Sequence, residues 1–252
     1  MPGLMVRFER EQRLPWRTRI ATGIIKWCLN NFKKYVFLTE AMNVVNERKR
    51  PYIVMEGMSD RFMATYKRPF EAKDIKVVMY AGGLHERYGL KKLTEAFMML
   101  PQENFRLKLF GSGPFVEKLK TKYTKKDSRI QYMGVAPNAE VVAAELDASL
   151  LVNPRPTHEE FTKYSFPSKN IEYMASGTPL LTTKLPGMPK EYYPYVFLIE
   201  NESVEGYAKA LESVLAQSDE ELYVFGEKAK DFVLEKKNSF EQAKRVIELI
   251  KL

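Results

Sequence analysis

One cysteine, two histidines and no D-x-D triplet leave this 252-residue sequence poor in the groups that hold metals or form disulfides. Cys28 has no second cysteine to pair with, a usage that fits a reducing compartment. His85 and His158 supply neither a zinc cluster nor the base of a Ser-His-Asp triad, so metal-independent chemistry is expected. No apolar run approaches the ~20 residues needed to cross a bilayer. Arg7, Glu9, Arg10, Glu11 and Arg13 interrupt the N-terminal stretch, so no secretory signal is predicted and a cytoplasmic location is expected. Internal repeats and low-complexity tracts are also missing.

What is present is a 45% hydrophobic content, enough for a substantial core, and a length suited to one large or two small domains. The net charge of +8 is uneven. Residues 1–50 hold eleven basic side chains against four acidic ones, +7 of the total. Within them Trp16, Ile20, Ile24 and Trp27 recur at helical spacing, with Arg10, Arg13 and Arg17 displaced from that stripe. Tryptophans in a basic amphipathic helix suit contact with an anionic membrane at the inner face of the plasma membrane. Ordinary core packing is the plainer expectation for the tryptophans. Nucleic acid is not expected as a partner, because no recognition motif accompanies the charge.

The chain alternates strand and helix patterns. Strands are predicted at 35–38 and 51–55, with a Thr39-capped helix through about 48 between them, then a polar connector containing Pro69. From 75 onward, strands at 75–80, 106–110, 130–133, 149–152, 179–183 and 196–199 alternate with helices, and three helices close the chain. Such alternation predicts an α/β fold with a doubly wound parallel sheet. Gly82 and Gly83 follow one strand and Gly111 and Gly113 the next. At Gly82 and Gly83 bare backbone suits a diphosphate or a tight turn, and the glycines alone do not decide between them. Val116 stands where G-x-G-x-x-G needs its last glycine, which argues against a nicotinamide site.

Residues 159–186 carry the most information. Ser168 is positioned to cap a helix that Gly177 and Pro179 end, and Ile171, Met174 and Ala175 form its inward face. Lys169 and Glu172 are three apart on another face, beside a first turn whose unpaired N–H groups favour an anion. With Glu160 in the preceding loop, a cation, two carboxylates and a helix N-terminus make a candidate sugar-nucleotide site.

FPSKNIEYMASGTPLL resembles the E-[AY]-M-A-x-G-x-P segment of family 4 glycosyltransferases, enzymes of the GT-B fold. VVMYAGGLHERYGLKKLTEAF (77–97), LKLFGSGP (107–114), IQYMG (130–134) and SLLVNPR (149–155) follow in the family's order. The resemblance implies a Rossmann-like donor domain at 71–238, preceded by a truncated remnant of the acceptor-side domain (1–56) and a linker (57–70). It also implies a last helix, 239–252, that crosses back to the acceptor side. It further implies retaining transfer of a hexose from a UDP- or GDP-sugar to a polysaccharide or lipid-linked acceptor, with no cofactor. Glu172 matches the second carboxylate of the family's E-x7-E motif, which binds ribose hydroxyls. Glu160 stands for the first, which meets the donor sugar, although the spacing here is E-x11-E and Glu159 competes for the role. Gly111 and Gly113 fall, by the same resemblance, near the nucleotide-sugar cleft. Gly134 and Val135 correspond to the backbone that holds the base, with a plain strand-end glycine as the alternative at Gly134. The family's phosphate-loop Arg and Lys are replaced by Gly83 and Tyr88, which shifts that role to Arg87, Arg155 and Lys169. A sugar-nucleotide epimerase of the same architecture remains an alternative. So does a non-catalytic nucleotide-sugar-binding half that self-associates or needs a partner chain.

Overall fold

The computed structural model describes residues 15–68 and 70–252. Arg7, Arg10 and Arg13 of the basic segment, and Pro69 of the connector, lie outside the described residues.

The body is a six-stranded, wholly parallel sheet. Its strands are β3 (Lys76–Ala81), β4 (Phe105–Phe110), β5 (Ile130–Gly134), β6 (Leu150–Asn153), β7 (Leu180–Thr183) and β8 (Phe197–Ile199), ordered β5-β4-β3-β6-β7-β8. Strand alternation divides the core. Val78 and Tyr80 of β3, Leu107 and Leu109 of β4 and Val152 of β6 face one helical layer. Val77, Met79, Ala81, Phe110, Leu151 and Leu180 face the other. Because both faces are covered, the strands read as near-continuous apolar runs.

The first layer is built by α2 (Leu90–Met98), α3 (Phe115–Lys118, prolonged by a π turn over Leu119–Tyr123) and α6 (Val204–Leu215). Leu90, Leu93, Phe97 and Leu100, the predicted inward face, are all buried. The second layer is α4 (Asn138–Asp147), α5 (Ser168–Ser176) and α7 (Asp219–Lys236). A Ser218–Glu221 capping box starts α7. The doubly wound α/β expectation is met, and the strand order reverses between β3 and β6.

Residues 16–54 form a smaller unit. Helix α1 (Trp16–Asn30) packs beside a two-stranded parallel sheet, β1 (Tyr35–Phe37) and β2 (Tyr52–Val54). Their cluster of Tyr35, Phe37, Met42 and Val45 closes on Tyr164 of the larger body. The final helix, α8 (Ser239–Lys251), lies against β2, where Arg245 donates to the Val54 carbonyl at 2.7 Å.

Three local expectations are corrected. The helix predicted from Thr39 to about 48 is a 3₁₀ segment, Glu40–Val45, and Thr39 caps nothing, because its hydroxyl donates to the Lys163 carbonyl at 2.7 Å. Ser168 is the first helical residue rather than the cap. Pro167 occupies the cap position, and no side chain bonds the first turn. The tryptophans are not core: Trp16, Ile20, Ile24 and Trp27 are 56–68% exposed. The helix instead packs Ile25 and Leu29 on the cluster around β1 and β2 and buries Thr22, a second stripe at equally regular spacing.

Candidate functional site

In open α/β sheets ligands lie beyond the strands' carboxyl ends, at the point where strand order reverses. Here that point is between β3 and β6, so the loops after Ala81 and Asn153 face it. The two loops are pressed together at Gly89. It adopts φ +84°, and a Cβ there would stand 1.8 Å from the Pro154 carbonyl oxygen, so glycine alone fits.

Two of the loop glycines spend their N–H groups on neighbouring strands. Gly82 N–H donates to the Phe110 carbonyl at 3.0 Å and Gly111 N–H to the Gly134 carbonyl at 2.7 Å. The Tyr80 hydroxyl donates to the Gly83 carbonyl at 3.1 Å. Gly113 is held against Leu84, whose carbonyl a Cβ would meet at 2.3 Å. Gly82 and Gly111 therefore prolong the strand ladder rather than offer N–H groups to a ligand. At Gly134 the chain turns through φ +77° into open space, and Val135 beyond it is exposed.

Arg87 and Arg155, from the two loops that meet at the reversal, share one aromatic pair. The Arg87 guanidinium lies 5.1 Å from the Tyr88 ring and 5.3 Å from the Phe161 ring, and that of Arg155 lies 5.1 and 5.5 Å from the same rings. The Arg87 guanidinium donates to the Tyr88 hydroxyl at 3.3 Å and feels the charge of Glu159, whereas Arg155 Nε is buried without a partner. Burial holds the Arg155 pKa below its usual value, and the charge of Arg87 adds to the effect. Two like charges kept adjacent with an unfilled donor form a receptor for an anion. Burial likewise pushes the Tyr80 hydroxyl up to about 12, so it stays protonated as a donor.

The first turn of α5 forms the third side of the site. Tyr173 ties it to β3, since its hydroxyl accepts from Ala81 N–H at 2.8 Å and donates to the Ala81 carbonyl at 3.0 Å. Asn153, ending β6, donates to the Asn170 side chain, whose Nδ2 is buried and unpartnered. Lys169 Nζ lies 3.0 Å from Glu172 Oε1 and 5.8 Å from the Tyr173 ring, so the shared face read from their spacing is real. Glu172 and Ser168 also line a cavity of about 290 Å³ with Asn138, Val142 and Asp60.

Glu160 opens the 3₁₀ turn Glu160–Tyr164 in the loop after β6 and adjoins Phe161 of the aromatic pair. Glu159 precedes that turn, and its carbonyl accepts from the Thr162 hydroxyl at 2.6 Å. His158 is turned outward, 3.9 Å from Glu202. No group of three or more His, Cys, Asp or Glu among the described residues is arranged to hold a metal ion. No described helix is long and apolar enough to cross a membrane.

Residues 64–250 match the family described as glycosyl transferases group 1. The chain belongs to that family. This glycosyl transferase chain is 30% identical over 112 residues to the putative colanic acid biosynthesis glycosyltransferase WcaL of Escherichia coli K12, a match covering 42% of this chain and 27% of WcaL. It superposes on a variant of TarM from S. aureus, solved with UDP, fondaparinux and alpha-GlcNAc-glycerol, at TM-score 0.71 and 17% identity. That match covers 90% of this chain and 45% of TarM. Anabaena HepE, solved with UDP and glucose, gives TM-score 0.69 at 13% identity over 94% of this chain and 67% of HepE. The chain thus spans less than half the length of WcaL and TarM.

Two features of this group 1 chain escaped the sequence reading. Tyr88 and Phe161 appear only as loop residues until the fold stacks the arginines on them. Glu145, fully buried in α4, approaches Lys169 Nζ at 3.9 Å. A signal for it existed: Glu145 falls three residues after Val142, on the buried face of its own helix, where an acid is out of place.

Proposed function

We propose that this chain supplies the donor-binding side of a retaining, metal-independent transfer of family 4 type. A hexose passes from a UDP- or GDP-sugar to a polysaccharide or lipid-linked acceptor. The observation that carries the proposal is the pairing of Arg87 and Arg155 over Tyr88 and Phe161 at the strand-order reversal, with the Arg155 Nε buried and unpartnered.

The donor's diphosphate lies against the two arginines and Lys169, with the α5 N-terminus adding its dipole. Glu172 accepts from the ribose hydroxyls, each carboxylate being able to take two such bonds. Glu160 faces the sugar. The bond between the anomeric carbon and the diphosphate oxygen breaks, an acceptor hydroxyl oxygen bonds to that carbon, and its proton passes to the departing diphosphate. Charge builds on the diphosphate as the bond opens, and fixed cations stabilise it most at that moment. UDP in the TarM and HepE structures is consistent with this reading.

A thermal-shift panel of nucleoside diphosphates and nucleotide sugars tests it. A specific donor at a hundredfold excess over Kd stabilises the fold by about 2.7 kcal/mol. Incubation with labelled donor and acceptor then identifies the product. Release of an altered nucleotide sugar without acceptor assigns an epimerase instead, and no stabilisation by any nucleotide refutes the donor site.

A further inference from the structure

Glu145 has no part in the donor contacts above, yet it is the least comfortable group near them. Its side chain has no exposed surface, and neither carboxyl oxygen has a hydrogen-bond partner among the described residues. Its backbone is fixed, because the Thr178 hydroxyl, just past the end of α5, donates to the Glu145 carbonyl at 2.7 Å. Lys169 Nζ stands 3.9 Å from Glu145 Oε1 but 3.0 Å from Glu172 Oε1, so the ammonium lies between a half-buried and a fully buried carboxyl and leans toward the half-buried one.

We propose that Glu145 is a positioning residue whose protonation state decides whether Lys169 is available to the donor's diphosphate, an inference that rests on the donor-site reading above. With Glu145 neutral, Lys169 has one anionic neighbour, Glu172, which turns to the ribose when nucleotide enters and leaves the ammonium to the phosphates. With Glu145 ionised, a second carboxylate competes for the same ammonium and repels the diphosphate through it.

The titratable groups facing Glu145 are Lys169, Glu172 and Tyr173, all on α5, with Tyr80 of β3 acting on Tyr173 from behind. Burial, reinforced by the charge of Glu172 and opposed by Lys169, pushes the Glu145 carboxyl up to about 8. The switch therefore lies just above neutrality. Tyr173 is itself raised by burial and stays neutral through that range. Coupling is reciprocal, so bound diphosphate should raise the Glu145 titration further.

The test is calorimetry of uridine diphosphate, guanosine diphosphate and the two nucleosides from about pH 7 to about pH 9, with carboxyl-carbon NMR of the apo protein. Diphosphate affinity is expected to fall on the order of tenfold across that range, nucleoside affinity to stay level, and Glu145→Gln to remove the slope. A glutamate carboxyl titrating near neutrality, absent from the Glu145→Gln spectrum and moved upward by diphosphate, completes the support. Diphosphate binding that is level in the wild type, or equally sloped in Glu145→Gln, overturns the coupling while leaving the donor site standing. An ordinary glutamate titration for Glu145 overturns it with no nucleotide present. Failure of every nucleotide to bind at any pH refutes the donor site and the coupling with it. Should Glu145→Gln not fold, equal pH dependence for uridine and uridine diphosphate in the wild type overturns the proposal.

Discussion

Lys237 Nζ lies 2.6 Å from Glu56 Oε1, and both side chains are almost wholly buried. Lys237 follows α7, and Glu56 follows β2 of the smaller unit, so the contact bolts the N-terminal segment to the sheet body. The Tyr192 hydroxyl donates to the same Glu56 oxygen at 2.6 Å, and Glu191 takes Lys237 from the solvent side at 2.6 Å. Removing one member strands the other's charge. Lys237→Met is expected to lower stability by about 3–5 kcal/mol, read by urea denaturation, and to speed proteolytic removal of the first 55 residues. Glu56→Gln, which still accepts from Tyr192, should cost less.

The α5 site separates phosphate from ribose. Lys169→Ala is expected to weaken UDP or GDP binding by roughly 1.5–3 kcal/mol, one charge-assisted hydrogen bond, and to leave nucleoside binding level. Glu172→Gln should weaken both alike. Calorimetry with matched nucleoside and diphosphate distinguishes them, and an equal loss for both ligands in Lys169→Ala removes Lys169 from the phosphates.

Glu145 also sets a pH dependence of stability. Its carboxyl is raised from an ordinary 4.5 to about 8, so between those values the native state keeps a proton that the unfolded chain has released. Stability therefore falls as pH rises through that window, by at most about 1.4 kcal/mol per pH unit. Glu145→Gln, neutral at every pH, should lack this slope and be the more stable protein at about pH 8. Denaturant midpoints measured from about pH 5 to about pH 8.5 check the sign.

Gly89→Ala tests the junction of the two loops. The added methyl meets the Pro154 carbonyl, and the left-handed backbone disfavours any side chain. The expected cost exceeds about 1 kcal/mol. Because the loops carrying Arg87 and Arg155 must part to relieve it, diphosphate affinity should fall as well. Unaltered affinity in a folded Gly89→Ala protein would separate that junction from the binding site.

The sequence by itself determined what depends on short spacing. The alternating apolar runs announce the parallel sheet, and Gly177 ends α5 in a left-handed turn, as glycine at that point suggests. Lys169 and Glu172 share a face because three residues span nearly one helical turn. Periodicity shows that a face is apolar but not what lies opposite it, and α1 carries two such stripes. Only the fold decided that Ile25 and Leu29 pack while Trp16 and Trp27 face outward. The meeting of Arg87 with Arg155, and of Glu145 with Lys169, likewise joins residues from separate crossovers. Such contacts are set by strand order and helix packing, which place loops distant in the chain at one end of the sheet.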